Sequence, residues 1–270
     1  NTRPTGQYYP CVSSMGMMWF KHDQAPFDDV RVRRAISMGI DREGIVEAVF
    51  RGEGVIPGYH FPSETEWATP YDELDPEIKQ WYEHNPERAR ELLAEAGIPE
   101  GFEVTLWAPN HLGVPMNPLI EAVPSMLNDI GLDVTLNSVA IAQYNDTIQS
   151  GEFNDLAISK NPLGWGRLEG MLYKHWSQNP LSINRSNYDD PEFDMLLENA
   201  LSASDPEEQR DWALQAERYF MEDVGMLELP GPYYYVAYQP WVKGELLAGG
   251  RAYRNQHGLL ISGVWFEGKE

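Results

Sequence analysis

The chain has 270 residues, long enough to bury most of its unfolded surface in a core without disulfide or metal staples. Its 42 carboxylates against 20 Lys and Arg leave a net charge of -22, a potential that repels phosphate backbones and anionic lipid headgroups and so excludes nucleic acid as a partner. Hydrophobic residues make up 42% of the sequence, a globular share. No window approaches the roughly 18 uncharged apolar residues of a membrane-spanning helix.

The single Cys11 cannot form an internal disulfide, and without a nearby His it is a poor nucleophile or metal ligand, so it reads as inert. The acidic excess reads as a solvated surface serving solubility. The chain opens on a polar, Pro-containing run (NTRPTGQYYP), not on a basic segment followed by an apolar one, so no signal peptide is expected in it.

The apolar run MGMMWF (Met15 to Phe20) reads as a strand. Beyond Pro26, Asp28 or Asp29 can cap a helix whose apolar positions Val30, Ala35, Ile36 and Ile40 fall near helical spacing. Asp41 reads as the cap of a second helix carrying Ile45, Val46 and Val49, closed by Gly52. Residues 53 to 84 hold Gly and Pro turn signals among scattered aromatics with no sustained period, and read as an irregular surface excursion. Asn85, Pro86 and Glu87 then predict a helix start, with Gly97 as its stop.

From there the periodicity alternates. Phe102 to Ala108 reads as strand, Pro118 to Ile130 as a helix kinked by Pro124, Leu132 to Val139 as strand, Ala140 to Gln149 as helix and Phe153 to Ser159 as strand. Strands joined by short helices imply right-handed crossovers and a parallel or mixed sheet. Residues 160 to 188 lose all period and gather Trp165, Tyr173, Trp176 and Tyr188, a loop whose aromatic content suits a ligand cleft. Asp190 and Asp205, each followed by Pro, start two more helices, and PYYYVAY (Pro232 to Tyr238) reads as a strand with Tyr233 and Tyr235 on one face.

Catalytic signatures are missing. The six histidines are scattered without metal-ligand spacing, and no nucleophile elbow, P-loop or dinucleotide fingerprint is present. No cofactor, metal or catalytic residue is therefore expected. Two other readings remain open: a carbohydrate-active hydrolase with an aromatic-lined cleft, and a protein-interaction module with an exposed aromatic surface.

Three stretches, PFDDVRVRRAISMGIDREGIVEAVFRGEG (Pro26 to Gly54), NPERARELLAEAGIPEGFEVTLW and PYYYVAYQPWVKG, occur in order over most of the chain. With them the sequence resembles the family 5 solute-binding proteins, the peptide, oligopeptide and nickel binders of ABC importers. The resemblance implies an α/β fold: the C-terminal lobe of a class II (cluster C) periplasmic-binding-protein-like structure, a mixed sheet flanked by helices, plus segments of the other lobe. It implies that residues 1–25 return from an N-terminal lobe, 26–225 form the C-terminal lobe, and 226–270 cross back to the first lobe or hinge. A large N-terminal portion would then lie outside this chain.

The resemblance further implies an extracytoplasmic location, periplasmic or lipid-anchored at the cell surface. Its expected partners are a small-molecule or peptide ligand and an ABC transporter permease, and the full-length protein is expected to be a monomer. In peptide-binding members a Gly-Trp followed closely by Asp holds the peptide amine. Here Gly164 and Trp165 match, but Leu168 stands at the acid position, with Glu169 next to it. Either Glu169 substitutes through a shifted loop, or the ligand has no free α-amine. Trp165, Glu169 and Tyr235 are thus the expected ligand-binding residues, with Arg167 and Tyr233 as secondary ones.

Overall fold

The computed structural model describes residues 7–12, 14–59, 67, 69–113, 116–162, 172–179, 184–238, 241–243 and 265–266. Strands β1 (Gln7–Val12) and β2 (Ser14–Phe20) precede helices α1 (Val30–Gly39) and α2 (Arg42–Ala48). Both starts follow from an aspartate side chain accepting a first-turn amide: Asp29 takes Arg31 N, and Asp41 takes Gly44 N at 2.8 Å. After the short β3 (Gly54–Val55) come α3 (Pro76–Lys79) and α4 (Pro86–Glu95), the latter capped by Asn85 and stopped by the positive-φ Gly97.

The alternating stretch folds as β4 (Phe102–Pro109), α5 (Leu119–Asp129), β5 (Leu132–Val139), α6 (Ile141–Ser150) and β6 (Leu156–Pro162). Helix α5 runs through Pro124 as one element. The last strand begins three residues later than its apolar pattern suggests, because Asp155 adopts φ 58° and turns the chain before Leu156. The Asp155 carboxylate accepts Thr105 N at 2.7 Å, which holds that turn against β4.

Two more helices, α7 (Pro191–Ser202) and α8 (Pro206–Glu222), are capped by Asp190 and Asp205 as their cap-then-Pro starts predict. They lead into β7 (Leu227–Leu229) and β8 (Gly231–Tyr238), and a small pair, β9 (Val242–Lys243) with β10 (Trp265–Phe266), completes the described elements.

The main sheet has five strands in the order β5-β4-β6-β2-β7. Strand β4 runs parallel to β5 and β6, as the helical crossovers require, while β2 is antiparallel to both β6 and β7. The sheet is therefore mixed. Its β2 strand is bordered on both edges and buried at Met17, Met18, Trp19 and Phe20, which explains a continuous apolar run where alternation would mark a half-exposed strand. A second sheet has the order β1-β8-β3.

The stretch 53–84 is more than a surface excursion. Tyr59, Leu74, Ile78 and Tyr82 are buried in the core, and the Tyr82 hydroxyl donates to Met221 O at 2.9 Å, tying this segment to the end of α8. Buried rings with no regular spacing escape a search for period, because their burial is set by α8, far away in the chain.

Candidate functional site

Strand β8 carries two of the five expected site residues. Tyr235 is 53% exposed, and its hydroxyl donates to the Glu53 carboxylate, a hydrogen bond that pushes the phenol pKa up. Tyr233 is half-buried and donates its backbone amide to Glu53 O at 2.9 Å. It lines a cavity of about 520 Å³ whose other walls include Glu43 and Glu47 of α2, Val55 of β3, and Tyr71 and Asp72. Glu53 thus braces both tyrosines, a role that sequence spacing does not advertise. Trp165, Arg167 and Glu169 lie outside the described residues.

Backbone registers locate the β8 tyrosines relative to that loop. Val12 pairs with Tyr233, and Ser14 pairs with Pro162, the residue from which the chain passes into 163–171. Val12 and Ser14 are two positions apart in sequence, so their Cα atoms are at most about 7 Å apart. Tyr233 and Pro162 are therefore paired to residues that lie close together in the chain.

The aromatic loop divides in the structure. Tyr188 is buried among Phe193, Phe220 and His175, with ring centroids 5.3, 5.0 and 6.5 Å away. Trp176 is half-buried, lies 5.5 Å from Tyr173, and donates Nε1 to Glu198 at 3.2 Å. These rings serve packing, contrary to the expectation that the loop's aromatics line a cleft together. Their anchoring by α7 and α8 is non-local and so invisible in the loop's own sequence.

Several ionisable groups sit in or at the edge of this core: His175 and Glu217 are buried, and His22 is half-buried. Burial, helped by the Arg33 charge, lowers His22 to about 3, and burial holds His175 well below the usual histidine range. Burial raises Glu217 to about 7, although Thr69 donates its hydroxyl to it at 2.9 Å. The histidines bind protons in the unfolded chain below about pH 6.5 and not in the fold, so stability falls as pH drops through that window. Glu217 works oppositely, since the fold holds a proton between about pH 7 and 4.5 that the unfolded chain releases. From pH 7 to 5, His22 should cost about 2 kcal/mol, His175 should add to that loss, and Glu217 should offset about 2 kcal/mol. Glu217→Gln is accordingly expected to steepen the acid loss, and denaturant titrations at pH 5, 6 and 7 check it.

Among the described residues no cluster of His, Cys, Asp and Glu could hold a metal ion, and no helix is long and apolar enough to cross a membrane. A mixed sheet flanked by helices, with a second sheet of order β1-β8-β3, defines an α/β lobe of the periplasmic-binding-protein type. Residues 5–180 match the family model described as "Bacterial extracellular solute-binding proteins, family 5 Middle", and the chain belongs to that family.

Among its relatives, the heme-binding protein A of Haemophilus influenzae is 30% identical over 233 residues, 83% of this chain and 40% of that protein. The di/tripeptide-binding protein 1 of Pseudomonas aeruginosa is 28% identical over 239 residues, 85% of this chain and 42% of the relative. The solved structure of HbpA2 from Haemophilus parasuis, 25% identical, superposes with a TM-score of 0.75 over 89% of this chain and 47% of that one. Peptide-bound DppA from Helicobacter pylori, 21% identical, superposes with a TM-score of 0.74 over 98% of this chain and 49% of its own, a likeness of fold. The chain thus spans less than half the length of these relatives.

Proposed function

We propose that this chain forms one part of the substrate-binding component of an ABC importer, holding a small solute, with peptides as the leading class, in a cleft bordered by residues 163–171 and by β8. The observation that carries the reading is the register: Tyr233 on β8 and Pro162 at the entry to 163–171 are paired to positions only two residues apart on the β1–β2 path. Heme and di/tripeptides are the ligands in the names of the relatives, and STSA is the peptide bound in the Helicobacter structure.

In this reading Trp165 supplies a flat apolar face, Tyr233 and Tyr235 offer hydroxyls and ring surface, and Glu169 meets a ligand ammonium that would be costly to bury unpaired. Arg167 is a secondary contact. Residues 1–25 and 226–270 carry the connections to a second lobe, and 26–225 form the lobe described here. The protein turns over no substrate and passes its ligand to a permease. It works outside the cytoplasm, in the periplasm or lipid-anchored at the cell surface, as a monomer at full length.

Mass spectrometry of ligand that co-purifies with the full-length protein, followed by calorimetric titration, tests this. Glu169→Gln should weaken an amine-bearing ligand by about 2 kcal/mol, the scale for stranding a desolvated charge. Trp165→Ala should weaken many ligands alike. Unchanged affinity in Glu169→Gln would remove the peptide reading, and hydrolysis of the bound compound would remove the transport reading.

A further inference from the structure

Where β3 meets β8, one acidic side chain decides which kind of hydrogen bond a ligand can make with the strand. Gly54 pairs with Pro232 and Val55 with Gly231, so one further step of the same register sets Glu53 opposite Tyr233, and the Tyr233 amide donates to Glu53 O at 2.9 Å. Side chains directly opposite each other share a face, and Tyr233 shares its face with Tyr235 by strand alternation. Glu53 is therefore the diagonal neighbour of Tyr235, a separation that a long side chain spans. Its carboxylate accepts the Tyr235 hydroxyl.

The backbone beneath that carboxylate is pinned on both sides. Arg51 and Gly52 take the left-handed conformation, at φ 59° and 76°, and turn the chain out of α2. The Gly52 amide donates to Val46 O at 2.9 Å, and the Glu53 amide donates to Phe50 O at 3.0 Å. Gly54 then approaches β8 so closely that a Cβ there would lie 3.1 Å from Gly231 O.

A phenol has one hydrogen to give, and a carboxylate only accepts. The Tyr235 hydrogen is thus committed to Glu53, and what its oxygen has left to offer is lone pairs. Donation to a charged acceptor also polarises the O–H bond and leaves the oxygen a better acceptor. Tyr235 is exposed, so its side chain is open to a ligand.

We propose that Glu53 sets the polarity of recognition at β8: through it Tyr235 accepts a hydrogen bond from a ligand backbone N–H and turns away carbonyl and carboxylate oxygens. In the peptide-holding cleft proposed above, on which this assignment rests, Glu169 meets the ligand ammonium, which leaves a peptide N–H as the donor for Tyr235. Glu53 is a positioning residue, since it acts through the phenol.

Two measurements on the full-length protein test this. With ¹³Cζ-labelled tyrosine, the resonance lost in Tyr235→Phe identifies Tyr235, which is expected to titrate above the usual phenol value of about 10. Glu53→Gln should lower that titration, because an amide of the same size both donates and accepts and cannot hold the hydroxyl one way round. Calorimetric titration of trialanine gives the second readout. Glu53→Gln should weaken trialanine roughly three- to tenfold, the range for one neutral hydrogen bond, and should change nothing when Tyr235 is already Phe. Replacing the peptide N–H groups of trialanine by ester oxygen, one position at a time, should cost a similar factor at one position, and that cost should vanish in Tyr235→Phe. An unmoved Tyr235 titration in Glu53→Gln, equal weakening by Glu53→Gln with and without the Tyr235 hydroxyl, or ester losses that persist in Tyr235→Phe would each overturn the assignment while trialanine binding upholds the peptide reading. No binding of trialanine to the unaltered protein would remove the peptide reading and this role of Glu53 with it.

Discussion

Arg33→Ala is expected to lower unfolding free energy by about 3–5 kcal/mol, the scale for breaking one partner out of a buried, hydrogen-bonded ion pair. Arg33 is 3% exposed, and its fork joins parts of the chain that are about 190 residues apart. Nη1 holds Phe27 O at 2.9 Å and Asp28 O at 3.0 Å, the turn that launches α1. Nη2 holds Asp223 O at 2.9 Å and Asp223 Oδ1 at 2.6 Å, the last residue of the α8 exit. Truncation would strand three carbonyls and a half-buried carboxylate together.

The pH dependence of that loss has a fixed sign. Burial outweighs the attraction of Arg33 and raises the Asp223 pKa, and removal of Arg33 takes away the main opposing pull. A protonated Asp223 carries no charge to strand, so the cost of Arg33→Ala should shrink as pH falls. Arg33→Lys should lie between the two, since one ammonium keeps the charge but cannot reproduce the planar fork. Denaturant midpoints at pH 5 and 7 measure all of this, and a loss below about 1 kcal/mol at pH 7 would show the network to be dispensable.

Local chemistry was the readable part of this chain. An Asp or Asn before Pro or before an apolar stripe caps its own helix through amides two or three residues on, and five such starts stand in the structure at Asp29, Asp41, Asn85, Asp190 and Asp205. The switch of period from two to 3.6 likewise located β4, α5, β5 and α6 to within a few residues. The placement of Tyr233 and Tyr235 on one face of β8 needed only strand alternation.

What escaped reading depends on partners far away in sequence. Glu53 braces Tyr235 across 182 positions, and Tyr82 reaches Met221 across 139. The late start of β6 turns on one residue, Asp155, in a left-handed conformation that β4 stabilises through Thr105 N. The histidines of this core give no signal either, because His22 and His175 both reach the Tyr188 ring only in the fold, around the end of α8.

That meeting point supports the second large expectation: Phe220→Ala should cost about 3–5 kcal/mol, the range for emptying a buried aromatic site. Phe220 is fully buried on the last turn of α8, with ring centroids of His175, Tyr188, Phe193 and Tyr59 at 4.3, 5.0, 5.2 and 5.4 Å. It is the ring that the 53–84 stretch, the 172–188 stretch and α7 all touch, so a cavity there cannot close by moving one neighbour. Its surroundings are also rigid: a Cβ on Gly225 would lie 2.2 Å from Phe220 Cε2, so the chain leaving α8 is already in contact with the ring. Phe220→Leu retains more of the volume and should cost less, while Gly225→Ala should destabilise by pressing on the same ring from the other side. The two losses share one site and should not add in a double variant, since shrinking Phe220 makes room for the methyl at Gly225. Denaturant unfolding of the two singles and the Phe220→Ala/Gly225→Ala double measures the coupling, and strict additivity would mean that the ring and the turn are energetically separate.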